Sequence, residues 1–99
     1  MSIEEWPPIG GKRLSKDQPT MVPIEILTIE GETGNQATIN KMAETMRKNG
    51  YPDDNIYPEV EWNGKAFIVV LGKSRVAAAK LAGLSEIPVM SNRPVLSVV

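Results

Sequence analysis

Leu71-Gly72-Lys73-Ser74-Arg75-Val76-Ala77-Ala78-Ala79-Lys80-Leu81-Ala82-Gly83-Leu84 is the stretch that decides the fold. The β-type run Lys65-Ala66-Phe67-Ile68-Val69-Val70-Leu71 feeds into Gly72, and an alanine-rich segment follows. Alanine has the highest helix propensity, so a helix is predicted from about Lys73 to Ala82. Gly83 then supplies the left-handed stop, and Leu84 the hydrophobic partner that usually follows it. This order puts backbone N–H groups, Lys73, Ser74 and Arg75 at the positive end of a helix dipole. Such a place can hold an anion, above all a phosphate. The plainer reading of the same residues is a tight strand-to-helix turn with solvated cations.

Working outward, Lys65–Leu71 is paired by the spacing with a strand at Ile56–Trp62, through a two-residue turn at Asn63-Gly64. Phe67-Ile68-Val69-Val70 is apolar on both faces, which predicts a central, covered strand. Upstream, Met21–Ile29 reads as one strand with Val22, Ile24 and Ile26 on a single face. Pro23 near its start marks an edge position or a strand entry. Glu30–Ala37 is a polar loop carrying Gly31 and Gly34, the kind of connector on which function often sits.

Thr38 is placed as the N-cap of a first helix over Ile39–Asn49. Ile39, Met42, Ala43 and Met46 form its apolar stripe, and Glu44 and Lys48 are spaced for an i,i+4 pair. Asn49-Gly50 ends it. After the second helix, Glu86–Met90 is a short strand closed by Pro88, and Val95–Val99 is a candidate further strand. The predicted order is β-α-β-β-α-β with a mixed sheet, an α+β domain over residues 21–99. Residues 1–20 read as an irregular lead-in, because Pro7-Pro8 and Gly10-Gly11 interrupt regular structure. Trp6 within it reads as a residue packed on a core edge.

The composition narrows the chemistry. The 99 residues fit one domain, and 41% hydrophobic with 23% charged residues is ordinary for a globular protein. No apolar run approaches the ~18 residues of a membrane span. The acidic, proline-bearing start is unlike a secretory signal, so a cytoplasmic location is the expectation. There is no cysteine and no histidine. Disulfides, thiolate or imidazole metal sites, cysteine nucleophiles and Ser-His-Asp hydrolysis are therefore excluded within this chain. The net charge of −1 lacks the basic excess of a duplex-binding domain. Local patches at Lys73, Arg75 and Lys80, or at Lys12, Arg13 and Lys16, remain candidates for nucleic acid. Asp53-Asp54 is a weak acidic pair for a divalent ion.

The ordered set of pieces resembles a known superfamily. Those pieces are Val22-Pro23-Ile24, Met46-Arg47-Lys48-Asn49-Gly50, Trp62-Asn63-Gly64-Lys65, Gly72-Lys73-Ser74-Arg75, Ala78-Ala79-Lys80-Leu81-Ala82-Gly83-Leu84 and Glu86-Ile87-Pro88-Val89. Together they look like the ParB N-terminal and sulfiredoxin-like superfamily, over about residues 21–91. The resemblance implies a compact ParB/sulfiredoxin-like fold with a nucleotide or phosphate site at Gly72, Lys73, Ser74 and Arg75. A nucleoside triphosphate, with magnesium, is the implied ligand. Gly72 and Arg75 match the ends of the family's Gly-x-x-Arg box. Lys73 and Ser74 stand where partition proteins usually have Glu and Arg, and where sulfiredoxins have Cys and His. The missing cysteine removes sulfinic-acid reduction.

Partition proteins add helix-turn-helix and dimerisation domains that do not fit in 99 residues, so sequence-specific centromere binding is not expected. Three readings stay open: a nucleotide- or phosphate-binding module, which ranks first; a ParB-like nuclease or NTP-hydrolysing or phosphotransfer enzyme; and a degenerate protein-interaction domain. An enzyme would draw on Glu30, Glu32, Asp53, Asp54 or Glu61. The expected partners are a phosphate-bearing ligand and then nucleic acid or a partner protein, with no membrane.

Overall fold

The computed structural model describes residues 5–95. Its elements are β1 (Thr20–Pro23), a 3₁₀ turn (Ile24–Ile26), β2 (Leu27–Thr28), α1 (Gln36–Asn49), β3 (Glu59–Trp62), β4 (Phe67–Leu71), α2 (Lys73–Ala82) and β5 (Glu86–Ser91). The architecture is α+β, as predicted. One mixed sheet runs in the order β1-β5-β3-β4-β2, with α1 and α2 packed on each other. The β1/β5 and β3/β4 pairs are antiparallel; the β5/β3 and β4/β2 pairs are parallel.

The strand expected at Met21–Ile29 is split. The three residues of the 3₁₀ turn divide it into β1 and β2, which form the two opposite edges of the sheet. In a flat sheet those edges would lie ~19 Å apart, at ~4.8 Å per strand. A 3₁₀ segment advances only ~2 Å per residue. The sheet therefore coils strongly, and its edges approach at the turn. The turn also breaks the predicted alternation: Val22, Ile24 and Leu27 are buried, whereas Ile26 is only half-buried.

Helix α1 starts earlier than expected. Asn35, not Thr38, is its N-cap, with Oδ1 accepting from the N–H of Ala37 at 2.8 Å and of Thr38 at 3.3 Å. Asparagine is at least as good a cap as threonine, so the helix gains residues at its start. The predicted stripe holds, with Ile39, Ala43 and Met46 buried and Met42 packed against them. Glu44 and Lys48 stand 4.0 Å apart on the exposed face.

The β3–β4 connection also departs from its two-residue prediction. Only Gly64 takes a positive φ (97°), whereas the predicted turn needs two such residues. Asn63 Oδ1 instead accepts from the amides of Lys65 and Ala66, at 2.9 and 2.8 Å, and closes a wider loop. At the other end Ile56–Pro58 does not join β3, and Asn55 just before it has φ of 61°.

Pro88 does not close the last strand, which continues to Ser91. The amides of Met90 and Asn92 donate towards β3, to the carbonyls of Pro58 and Val60. Pro88 lies on that same side but one step before the β3 pairing begins, so its missing N–H breaks no ladder bond. Val95 forms an isolated bridge; the rest of the strand considered at Val95–Val99 lies outside the described residues.

The lead-in contributes to the core. Gly10 and Gly11, both at positive φ, turn the chain so that Ile9 and Lys12 exchange backbone hydrogen bonds of 2.8 and 2.9 Å. Trp6, Ile9 and Leu14 are buried in the same cluster as Val69, Val76 and Ile87. The Trp6 ring meets Phe67 edge-on at 6.2 Å, and Trp62 tilts on Phe67 at 4.9 Å. Truncating Trp6 to Ala is predicted to cost ~3–5 kcal/mol of stability by urea unfolding. A loss under 1 kcal/mol would mean that the lead-in is an ornament on the fold. Gly72→Ala is predicted to cost ~1–2 kcal/mol or more, because Gly72 has φ of 81° and a Cβ there would lie 3.1 Å from Pro58 Cα. An unchanged denaturation midpoint would contradict that.

Candidate phosphate-binding site

β4 ends at Leu71, Gly72 turns the chain in the left-handed region (φ 81°, ψ 29°), and α2 begins at Lys73. The turn is tight because Pro58 closes over it. Gly72 accepts the first helical bond, from the N–H of Val76 at 3.1 Å, but has no side chain with which to cap the amides of the first turn. Those amides carry the positive pole of the helix. At the far end Gly83 and Leu84 donate to the carbonyls of Lys80 and Ala79, the predicted stop.

The glycine-bearing loop before α1 lies against this helix start. The Ser74 hydroxyl donates to the carbonyl of Thr33. Gly34 leaves room for that hydroxyl, since a Cβ at Gly34 would sit 2.9 Å from Ser74 Oγ. Lys73 extends along Gly31, with Nζ 3.7 Å from the Cβ position there. Among the described residues Lys73 makes no ion pair.

Arg75 is held on the other side by the turn after α1. Its Nη1 and Nη2 donate to Oδ1 and Oδ2 of Asp54, at 3.0 and 2.5 Å. Nη1 also donates to the Ile56 carbonyl at 3.2 Å, and the guanidinium lies 5.7 Å from the centre of the Tyr51 ring. The hydrogen bond with Asp54 pushes the Arg75 pKa up, while Arg75 holds the Asp54 carboxyl below its ordinary value of 3.8. Burial pushes the Tyr51 phenol up, against the opposing pull of Arg75.

Gly72, Lys73, Ser74 and Arg75 thus share one helix start. Lys80 does not join them: its Nζ donates to the Leu27 carbonyl at 2.9 Å and ties α2 to β2. In the second basic group, Arg13 donates to the Trp6 carbonyl at 2.5 Å. Of the candidate carboxylates, Asp54 belongs to Arg75 and Glu61 is paired with Arg93. Among the described residues no three Asp or Glu side chains gather as a metal cage. The contributions of Thr33, Gly34 and Tyr51 are not legible in the sequence as site features, and Asp54, a candidate carboxylate there, is not legible as the partner of Arg75. Only the two glycines of the 30–37 loop and the Asp53-Asp54 pair hinted at them.

One consequence follows from the depressed Asp54 pKa. The pair's contribution to stability is present above pH 3.8 and is lost as pH falls through the lowered folded value. Acid unfolding of Asp54→Asn is therefore predicted to show a smaller drop in stability between pH 5 and pH 2 than the parent protein. Superimposable curves would show that the pair carries no linkage.

Comparisons with known proteins bear on the family and the fold. Residues 12–94 match the ParB N-terminal domain model. The probable plasmid-partitioning protein ParB of Thermus thermophilus is 32% identical over 82 residues, covering 80% of this chain and 27% of that protein. The chain thus spans about a quarter of the curated relative. A C-terminally truncated chromosome-partitioning ParB from Caulobacter crescentus, complexed with CTP-γ-S, superposes with a TM-score of 0.63 at 26% identity, over 80% of this chain and 45% of that one. The same protein on its centromeric parS site gives 0.61, over 76% and 39%. Sulfiredoxin from Arabidopsis thaliana shares the fold alone, at 19% identity and a TM-score of 0.57, over 78% and 89%. By the match across residues 12–94, the chain belongs to the ParB N-terminal domain family.

Proposed function

We propose that this domain binds a nucleoside triphosphate, with cytidine triphosphate as the first choice, through its phosphates at Gly72, Lys73, Ser74 and Arg75. The observation that carries the reading is the junction itself. A helix start without a side-chain cap, a lysine with no ion pair among the described residues and an arginine meet where β4 turns tightly into α2. Helix amides and cations together favour a polyanion. The choice of cytidine rests on the CTP-γ-S complex of the Caulobacter relative. Magnesium would accompany the triphosphate, because it bridges phosphate oxygens while keeping several waters and needs few protein ligands.

In this reading the domain works in the cytoplasm, in a DNA-associated assembly. The relative bound to parS supplies that association, and this chain corresponds to 39% of it. Direct contact with DNA is not assigned to the Gly72–Arg75 box. Binding ranks above cleavage, because Asp54 and Glu61, two of the carboxylates available for catalysis, are each held by an arginine.

Thermal unfolding with CTP and magnesium tests the proposal. Ligand at a hundred times its dissociation constant adds ~2.7 kcal/mol, which for a domain of this size raises Tm by about 10 °C or more. Arg75→Ala is predicted to abolish the shift, and ATP, GTP and UTP to give smaller ones. No shift with any of the four at millimolar concentration would remove the nucleotide reading. A shift that survives Arg75→Ala would move the site elsewhere.

A further inference from the structure

The arginine needed for a phosphate is already engaged. Asp54 presents two oxygens to the two terminal nitrogens of Arg75 in a fork-to-fork pairing. A phosphate offers a guanidinium the same two-oxygen face, so Asp54 and a phosphate compete for the end-on Nη1/Nη2 pair of donors.

The segment that delivers Asp54 is built around this contact. Asp54 Oδ1 also accepts from the Ile56 N–H at 3.1 Å, which closes the turn through Asn55. The Ile56 carbonyl accepts both from Arg75 Nη1 and from the Tyr51 hydroxyl, each at 3.2 Å. The Tyr51 ring completes the enclosure of the guanidinium. The enclosure is nevertheless open to solvent, since the Arg75 and Asp54 side chains are 20% and 38% exposed. A dissolved anion can reach the pair without unfolding the domain.

Resting on the nucleotide reading above, we propose that Asp54 is an internal competitor for the phosphate, and that the Tyr51–Ile56 turn is a latch which must release Arg75 before a triphosphate is fully bound. The latch lowers apparent affinity by the fraction of molecules in which Arg75 is free. It also selects among anions. A single phosphate or sulfate gains too little from Arg75 alone to displace Asp54. A triphosphate also meets the amides of α2, Lys73 and Ser74, and displaces it.

The test is calorimetric titration of CTP, and separately of inorganic tripolyphosphate, into the parent protein, Asp54→Asn and Arg75→Ala. Asparagine keeps the Oδ1 acceptor for the Ile56 N–H and removes the charge and the second acceptor oxygen. Asp54→Asn is expected to bind both probes about three- to ten-fold more tightly, the scale of a partly exposed bidentate pair. Arg75→Ala is expected to bind neither. Tight binding by Asp54→Asn with none by the parent also supports the latch.

If the parent binds CTP and Asp54→Asn binds it equally or more weakly, the latch is overturned while nucleotide binding stands. Asp54 would then position Arg75. Absence of binding by both proteins to both probes overturns the latch and the nucleotide reading together. Should Asp54→Asn fail to fold, Asp54→Ser makes the same comparison, because its hydroxyl can accept from the Ile56 N–H.

Discussion

Pro58 packs so close over Gly72 that an added Cβ would lie 3.1 Å from Pro58 Cα, and the geometry of the α2 start rests on that contact. With Pro58 in place, the chain leaving β4 must turn at once, and only a left-handed residue allows it. The turn leaves the first amides of α2 without a side-chain cap at the end of the strand. It also sets Ser74 beneath the glycine-bearing loop that precedes α1, and Arg75 beside the turn that follows α1. Two segments far apart in sequence thereby meet at one helix start.

Electrostatics then divides the box. The amides and Lys73 remain available to a ligand, whereas Arg75 is neutralised by Asp54. The Asp54–Arg75 pair is partly exposed, and such pairs add little to stability. Its larger effect is on what else Arg75 can bind. The same end-on pair of Arg75 nitrogens that anchors α2 to the 51–56 turn is one that a phosphate would use. In the proposed reading, binding and local order are thus linked through one side chain.

The fold was legible where the sequence obeys one period at a time. The Gly72 turn, the alanine-rich helix and its Gly83 stop formed as read, because each local preference agrees with its neighbours. The strand read over Lys65–Leu71 as covered on both faces instead starts at Phe67 and buries only the Phe67 and Val69 face. The reading failed where local and tertiary demands compete. Met21–Ile29 has an unbroken strand pattern, yet it must reach both edges of a coiled sheet and so breaks at Ile24–Ile26. Asn63-Gly64 has the composition of a two-residue turn, but the Asn63 side chain prefers the amides of Lys65 and Ala66. Pro88 reads as a stop only if its N–H is needed, and here it is not. In the site, Gly72–Arg75 was visible because the box is contiguous. The pairing of Asp54 with Arg75 and of Thr33 with Ser74 was not, because contacts across 21 or 41 residues leave no local pattern.

The central claim is that the α2 helix start is where a triphosphate is held. It is most directly tested by following the backbone amides of the protein in nitrogen–proton correlation spectra as CTP and magnesium are added. The account predicts that the largest shifts fall on Lys73, Ser74 and Arg75, with smaller ones on the Gly31–Gly34 loop and the Tyr51–Ile56 turn. Saturable shifts centred on another surface, with residues 72–75 unmoved, would contradict it.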